Sequence, residues 1–225
     1  MINKTKTFSL LIVSLFAVIF MFNACKPELK PEPEPQENII NEYEWVDLGL
    51  PSGLKWAVCN VGAESPEDYG NYYAWGETTT KTEYTTENSV TYGLSISDLR
   101  SRGYIDGKGN LTSSHDAATV NWGDIWRMPT QYEMRELLYR CSWEWTTQNG
   151  INGHKVTGPN GNFIFLPATG YRLGSSFYNA GSNGYHWSST SLDYNYYAYY
   201  LFYDGSDYVS YCNRYRGQTV RPVTE

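Results

Sequence analysis

Histidine is scarce in this chain. The three residues, His115, His154 and His186, stand far apart and share no metal-ligand spacing. Cysteine is nearly as sparse. Of the four, Cys59, Cys141 and Cys212 lie far from one another and from Cys25, so no CxxC metal or redox motif exists. Basic residues are outnumbered, with 17 Lys and Arg against 24 Asp and Glu and a net charge of −7. That balance argues against nucleic acid as a partner and against attraction to anionic lipid headgroups. No glycine-rich phosphate loop follows a strand pattern, and no nucleophile elbow surrounds Ser188 or Ser189 beside His186, which read as a structural turn next to Trp187. After the N-terminal segment no apolar run is long enough to cross a bilayer. These absences predict a protein that is not an enzyme and holds no cofactor or metal.

The N-terminus does carry an address. Lys4 and Lys6 precede an apolar run over residues 8–22 that only Ser9 and Ser14 interrupt. A positive n-region followed by an h-region predicts a signal peptide over 1–24. The run falls short of the roughly 18–20 apolar residues a membrane span needs. It ends in Phe22-Asn-Ala-Cys25, which resembles a bacterial lipobox, with Phe22 in place of the usual Leu. The resemblance implies cleavage before Cys25 and diacylglycerol on its thiol; the competing reading is an uncleaved anchor. Losing Lys4 and Lys6 takes the charge from −7 to −9. Residues 25–42 are expected to form a tether, since Pro and Glu alternate over 26–36, a composition that stays extended and semi-rigid. Together these features predict an outer membrane lipoprotein, periplasmic or surface-exposed, that meets the membrane through its lipid alone.

Residues 43–225 read as one domain of α+β class, with short antiparallel strands, one well-formed helix and long loops. Strands are predicted over 44–48, 54–61, 72–75, 162–166 and 218–223. Residues 77–115 are rich in Thr, Ser, Gly and charge and predict a partly ordered insertion with a short helix near 97–102. Within it Asp106-Gly-Lys-Gly-Asn110 reads as a turn, since it lacks the distal Glu of a calcium loop. Thr130 and Glu133 form a T-x-x-E capping box, and Met134, Leu137, Leu138 and Cys141 then recur at helical spacing. Asp204-Gly-Ser-Asp207 separates two aromatic runs, 196–203 and 208–214, and predicts a hairpin. Glu133 and Glu136 form the one acidic pair with a glycosidase flavour. Capping and a solvent-facing position account for them better.

Several segments, in order, resemble the Fibrobacter major paralogous domain family, abundant in gut Bacteroidota. They are Tyr43-Glu-Trp-Val-Asp-Leu-Gly-Leu-Pro-Ser-Gly-Leu-Lys-Trp-Ala-Val-Cys-Asn-Val-Gly62, Tyr73-Ala-Trp-Gly-Glu77, His115-Asp-Ala-Ala118, Asn121-Trp-Gly-Asp-Ile-Trp-Arg-Met-Pro-Thr130, Phe165-Leu-Pro-Ala-Thr-Gly-Tyr171, Tyr185-His-Trp-Ser-Ser189 and Gly217-Gln-Thr-Val-Arg-Pro-Val223. The Trp-Arg-Met-Pro-Thr segment is also similar to formylglycine-generating-enzyme-like proteins, which implies a C-type-lectin-like fold. The copper chemistry of those enzymes needs paired C-terminal cysteines, and Cys212 stands alone. Cys59 and Cys141 fall in framework-like segments and are expected to form a disulfide; two buried free thiols are the competing reading.

The functional signal lies in residues 185–216, where ten of 32 residues are Tyr, mixed with Asn, Asp and Ser. A wholly buried strand favours Val, Ile and Leu, because a buried Tyr must satisfy its hydroxyl. Tyr with Ser, Gly and Asn gives large rigid contact area and adaptable hydrogen bonds, as in antibody paratopes. Period-two alternation assigns Tyr196, Ala198, Tyr200 and Phe202 to the core, and Tyr197, Tyr199, Leu201 and Tyr203 to the outer face. Tyr194, Asn195, Tyr197, Tyr199, Tyr208, Tyr211, Asn213 and Tyr215 are therefore the expected ligand-binding surface for a glycan or protein. The alternative is a structural envelope protein whose tyrosines only stabilise strands. These residue types also lie one or two adenine changes from an Asn codon, so the segment resembles those diversified by retroelements.

Overall fold

The structure, a computed structural model, describes residues 38–225. The expected signal peptide, Cys25 and most of the tether lie outside the described residues. Along the chain come β1 (Ile39–Ile40), β2 (Tyr43–Asp47), β3 (Lys55–Ala57), α1 (Ile96–Ser101), α2 (Ala117–Trp122), α3 (Gln131–Arg140), β4 (Ser142–Gln148), β5 (Ile151–Thr157), β6 (Phe163–Pro167), β7 (Tyr171–Leu173), β8 (Ser176–Tyr178), β9 (Gly184–Ser191), β10 (Tyr197–Tyr203), β11 (Tyr208–Asn213) and β12 (Val223–Thr224). The strands form sheets ordered β1-β2-β3-β12, β4-β5-β6, β7-β8 and β11-β10-β9, all antiparallel. The class is α+β, mainly β. Because β1 pairs with β2, the folded unit starts before residue 43, where the tether was expected to end.

The best-marked local signal forms as read. The Thr130 side chain accepts from the Glu133 N–H, and the Glu133 carboxylate accepts from the Thr130 N–H at 2.7 Å, closing the capping box of α3. Such a cap stabilises a helix by about 1 kcal/mol. Met134 and Leu137 are fully buried, and Leu138 and Cys141 pack partly buried beside them. The short α1 lies where a helix near 97–102 was expected, capped by Ser95 and anchored by buried Leu99.

The 77–115 segment is irregular yet closely tied down, which corrects the expectation of partial order. The Tyr84 hydroxyl donates to Tyr72 O at 2.5 Å, and Lys81 binds Glu77 at 2.7 Å. Leu99, Ile105 and Leu111 join the core. At 106–110, Asp106 Oδ1 accepts from the Lys108 and Asn110 N–H groups, which makes the segment a turn. The expected strand at 72–75 contributes a single bridge, Tyr73 to Gln218. Of the strand expected over 218–223, Gln218 and Thr219 make isolated bridges, to Tyr73 and His186, and Val223 lies in β12.

Two apolar clusters meet across β10. Ala198, Tyr200 and Phe202 enter the first, with Trp75, Trp122, Trp126 and Trp187. Leu201 and Tyr203 enter the second, with Trp56, Met134, Leu137, Val156 and Leu166. The expectation that Leu201 and Tyr203 face outward is thus overturned: α3 and the β4-β5-β6 sheet cover that end of the hairpin. Gly184 lies against the Tyr203 ring, where any Cβ would collide with it. The three cysteines are free thiols. The expected Cys59–Cys141 disulfide does not form, because Cys59 packs on the first cluster and Cys141 on the second.

His186, Ser188 and Ser189 lie mid-strand in β9, all buried, and not in the turn expected of them. His186 Nε2 is 2.6 Å from the Tyr203 hydroxyl, and Nδ1 is 3.0 Å from Thr219 Oγ1, which donates to Tyr185 O at 2.9 Å. Burial, and then the Arg221 charge, hold the His186 pKa well below the ordinary 6.5. Burial also lowers that of His154, against the pull of Asp207 and Asp204. Below pH 6.5 the unfolded chain takes up protons on both rings, whereas the folded chain keeps His186 neutral and protonates His154 only at lower pH. Stability is therefore expected to fall as pH drops from about 6.5 to 5, by up to about 1.4 kcal/mol per pH unit from His186, with His154 adding in the same direction. Urea unfolding across that range checks the slope; a flat profile contradicts neutral buried histidines.

Candidate functional site

The antiparallel register of β10 and β11 places Tyr197 opposite Asn213 and Tyr199 opposite Tyr211. The Tyr197 ring stands 5.6 Å from Tyr211 and 5.9 Å from Tyr194, nearly parallel to the latter. Tyr199 meets Tyr211 edge-on at 6.5 Å. Tyr196 reaches Tyr197 at 6.4 Å and Tyr92 at 5.0 Å, and Tyr92 touches Tyr215 at 5.0 Å. Seven tyrosines (92, 194, 196, 197, 199, 211 and 215) thus form one continuous aromatic network. Tyr194 and Tyr211 are 63% and 53% exposed, so the network opens to solvent at its outer rings. Tyr197, Tyr199, Tyr215 and Asn213 are half-buried beneath them, and Asn195 is exposed beside them. A depression of about 370 Å³ lies against Asp193, Tyr194, Asn195 and Tyr196.

One residue holds this surface in shape. The Arg214 side chain is buried and contacts six backbone carbonyls from two loops. Nε donates to Tyr197 O at 3.0 Å. Nη1 reaches Leu94 O at 2.9 Å, Thr91 O at 3.2 Å and Asn195 O at 3.3 Å. Nη2 reaches Tyr194 O at 3.1 Å and Leu192 O at 3.4 Å. Its guanidinium also lies 5.1 Å over the Trp75 ring. Burial lowers its pKa to about 10, so it stays charged at neutral pH. Segments 91–94 and 192–197 carry Tyr92, Tyr194 and Tyr196, so this cation ties them to the hairpin.

The structure brings together seven of the eight residues expected to bind. Tyr208 is the exception. It pairs with Phe202, and its ring lies 4.8 Å from that of Phe202, on the hairpin's other face. Tyr196, expected in the core, is 41% exposed and belongs to the surface. It precedes β10, where strand alternation no longer applies. Tyr92 and Arg214 were not legible as site residues, since one sits in a polar segment and the other is a lone arginine.

No protein-family model, curated protein or solved structure matches this chain. The site is therefore read from its own geometry. A cleft of about 380 Å³ elsewhere is lined by Asp106, Lys108, Asp116, Arg127 and Glu133, among others. Buried Asp116 and half-buried Glu133 both serve the fold. Asp116 caps α2 and accepts from the Met128 N–H at 2.8 Å. Glu133 caps α3 and takes Arg127 in a two-pronged pair at 2.7 and 2.8 Å. Glu136 accepts from the Ser52 N–H and hydroxyl. Among the described residues no group of three His, Cys, Asp or Glu stands close enough to hold a metal, and no helix is long and apolar enough to cross a membrane.

Proposed function

We propose that this chain is a lipid-anchored binding protein of the envelope or cell surface, presenting its C-terminal tyrosine surface to a glycan or protein ligand. The observation that carries the reading is the exposed aromatic network held rigid by Arg214. Preorganised rings lose little conformational freedom on binding, and ordering cost is what most reduces affinity per area. The rings offer flat apolar faces, while their hydroxyls with Asn195 and Asn213 offer hydrogen bonds at the rim. The lipobox and tether supply the anchor, and the mainly-β fold with one longer helix and long irregular connections suits a C-type-lectin-like domain of the major paralogous type. A C-terminal surface built on fixed framework residues also suits diversification of the exposed tyrosines.

Tyr211 is the discriminating residue, because it is exposed, lies on edge strand β11 and touches both Tyr197 and Tyr199. Arrays of glycans and of host surface proteins, probed with the full chain in detergent micelles, find the ligand. The Tyr211→Ala chain is then expected to bind about 5- to 30-fold more weakly, the loss typical of a hot-spot aromatic, with its melting temperature nearly unchanged. A lowered melting temperature with no bound ligand on any array supports the structural reading and removes this one.

A further inference from the structure

The face of the β10–β11 hairpin that carries Tyr208 has an arginine without an anion. After residue 170 the chain contains Arg172, Arg214, Arg216 and Arg221. Three of them give their guanidinium protons to carbonyl oxygens within hydrogen-bonding distance. Arg216 is different. Among the described residues its guanidinium makes no hydrogen bond and no ion pair, and its Nε is buried without an acceptor. It lies over the Tyr171 ring, 4.8 Å from its centroid. That ring belongs to a cluster of aromatic side chains, most of them tyrosines. Tyr171 stacks on Tyr178 at 5.4 Å and meets Tyr185 at 5.0 Å; Tyr185 contacts Phe202 at 5.1 Å, on which Tyr208 lies. Tyr178 and Tyr208 are 42% and 44% exposed, so the cluster opens outward. The acids of the hairpin turn are engaged elsewhere: Asp204 accepts from Asn183 at 3.1 Å, and Asp207 faces His154 at 3.6 Å.

A half-buried guanidinium whose Nη groups have no protein acceptor is free to take an oxyanion, and its planar fork matches a carboxylate. The walls fit a pyranose: ring faces for its C–H side, phenolic hydroxyls for its edge. We infer that Arg216, with Tyr171, Tyr178, Tyr185 and Tyr208, forms a second site that takes a carboxylate-bearing sugar of an acidic glycan. The carboxylate sits on the guanidinium, and the sugar ring lies against the exposed Tyr178 or Tyr208 ring. This site is independent of the Tyr194–Tyr211 surface, and neither needs the other to be correct.

The test compares methyl β-D-glucuronide with methyl β-D-glucoside, which share a ring and differ in the carboxylate. Binding to the full chain in detergent micelles is measured by calorimetry and saturation-transfer NMR. The glucuronide is expected to bind about tenfold tighter or more, the worth of one charge-assisted contact. Arg216→Gln is expected to abolish that preference, Arg216→Lys to retain part of it, and Tyr211→Ala to leave it unchanged. Equal affinity for the two sugars overturns the proposal, as does a preference that survives Arg216→Gln. N-acetylglutamate binding as tightly as the glucuronide overturns the sugar assignment, because the site then reads a carboxylate alone. Should Arg216→Gln not fold, saturation transfer from Tyr178 and Tyr208 to the wild-type-bound glucuronide decides, and its absence overturns the site.

Discussion

Replacing Arg221 with methionine is expected to destabilise the domain by about 3–5 kcal/mol, at the upper end for a single substitution. The side chain is 1% exposed. Nε donates to Asn60 Oδ1 at 2.8 Å, Nη1 to Ala57 O at 3.0 Å and to Val58 O, and Nη2 to Phe165 O at 3.0 Å. It therefore joins the end of β3 to β6, in another sheet. Burial lowers its pKa to about 10, which leaves it charged at neutral pH. Methionine fills much of the volume but donates nothing, so four acceptors lose their partner where water has little access. At about 1 kcal/mol for each orphan, the low end of the usual range, these four account for the expected loss. Arg221→Lys keeps one donor group and is expected to lose less. Urea unfolding followed by tryptophan fluorescence measures both; a loss below about 1 kcal/mol for the methionine variant contradicts the clamp.

Arg214→Lys is expected to loosen the tyrosine surface while the rest of the domain holds. A lysine carries three donors on a point charge, against five in a planar fork, so it cannot span six carbonyls. Four of those carbonyls, of Leu192, Tyr194, Asn195 and Tyr197, belong to one loop, and two, of Thr91 and Leu94, to the other. Losing about half of the donated bonds, at about 1 kcal/mol each, lowers local stability by about 2–3 kcal/mol. Amide exchange in residues 91–95 and 192–197 should then quicken by about tenfold or more, while α3 stays protected. The Gly93 amide, bound to Asn195 O at 2.9 Å, is the most direct reporter. Ligand affinity is expected to fall with the loss of order. Unchanged exchange in these loops would show that they hold their shape without the cation.

How much of this was legible in the sequence follows from the range of each interaction. The α3 cap, the turn at 106–110 and the hairpin turn at 204–207 are decided by residues a few positions apart. Asp106 reaches its own loop amides, and Gly205 adopts φ 110°, which other residues rarely do. Acidic balance, the apolar run behind Lys4 and Lys6 and the concentration of tyrosine near the C-terminus are likewise properties of the chain itself.

Alternation along β10 was also legible, but not what covers each face. Period two separates Tyr200 and Phe202 from Leu201 and Tyr203, yet both pairs are buried, because separate cores close on the two sides of the strand. Only at Tyr197 and Tyr199 does one side open, and there loop residues 92 and 194–196 complete the surface. Residues 92 and 196 meet only because residues 91–94 and 192–197 converge on Arg214. The sequence by itself determined the class of fold, the local caps and turns, and the chemistry available near the C-terminus. The tertiary structure decided which tyrosines form one surface, which arginine clamps it and which is left without a partner. Those outcomes depend on contacts between residues as many as 123 positions apart, and no local pattern records them.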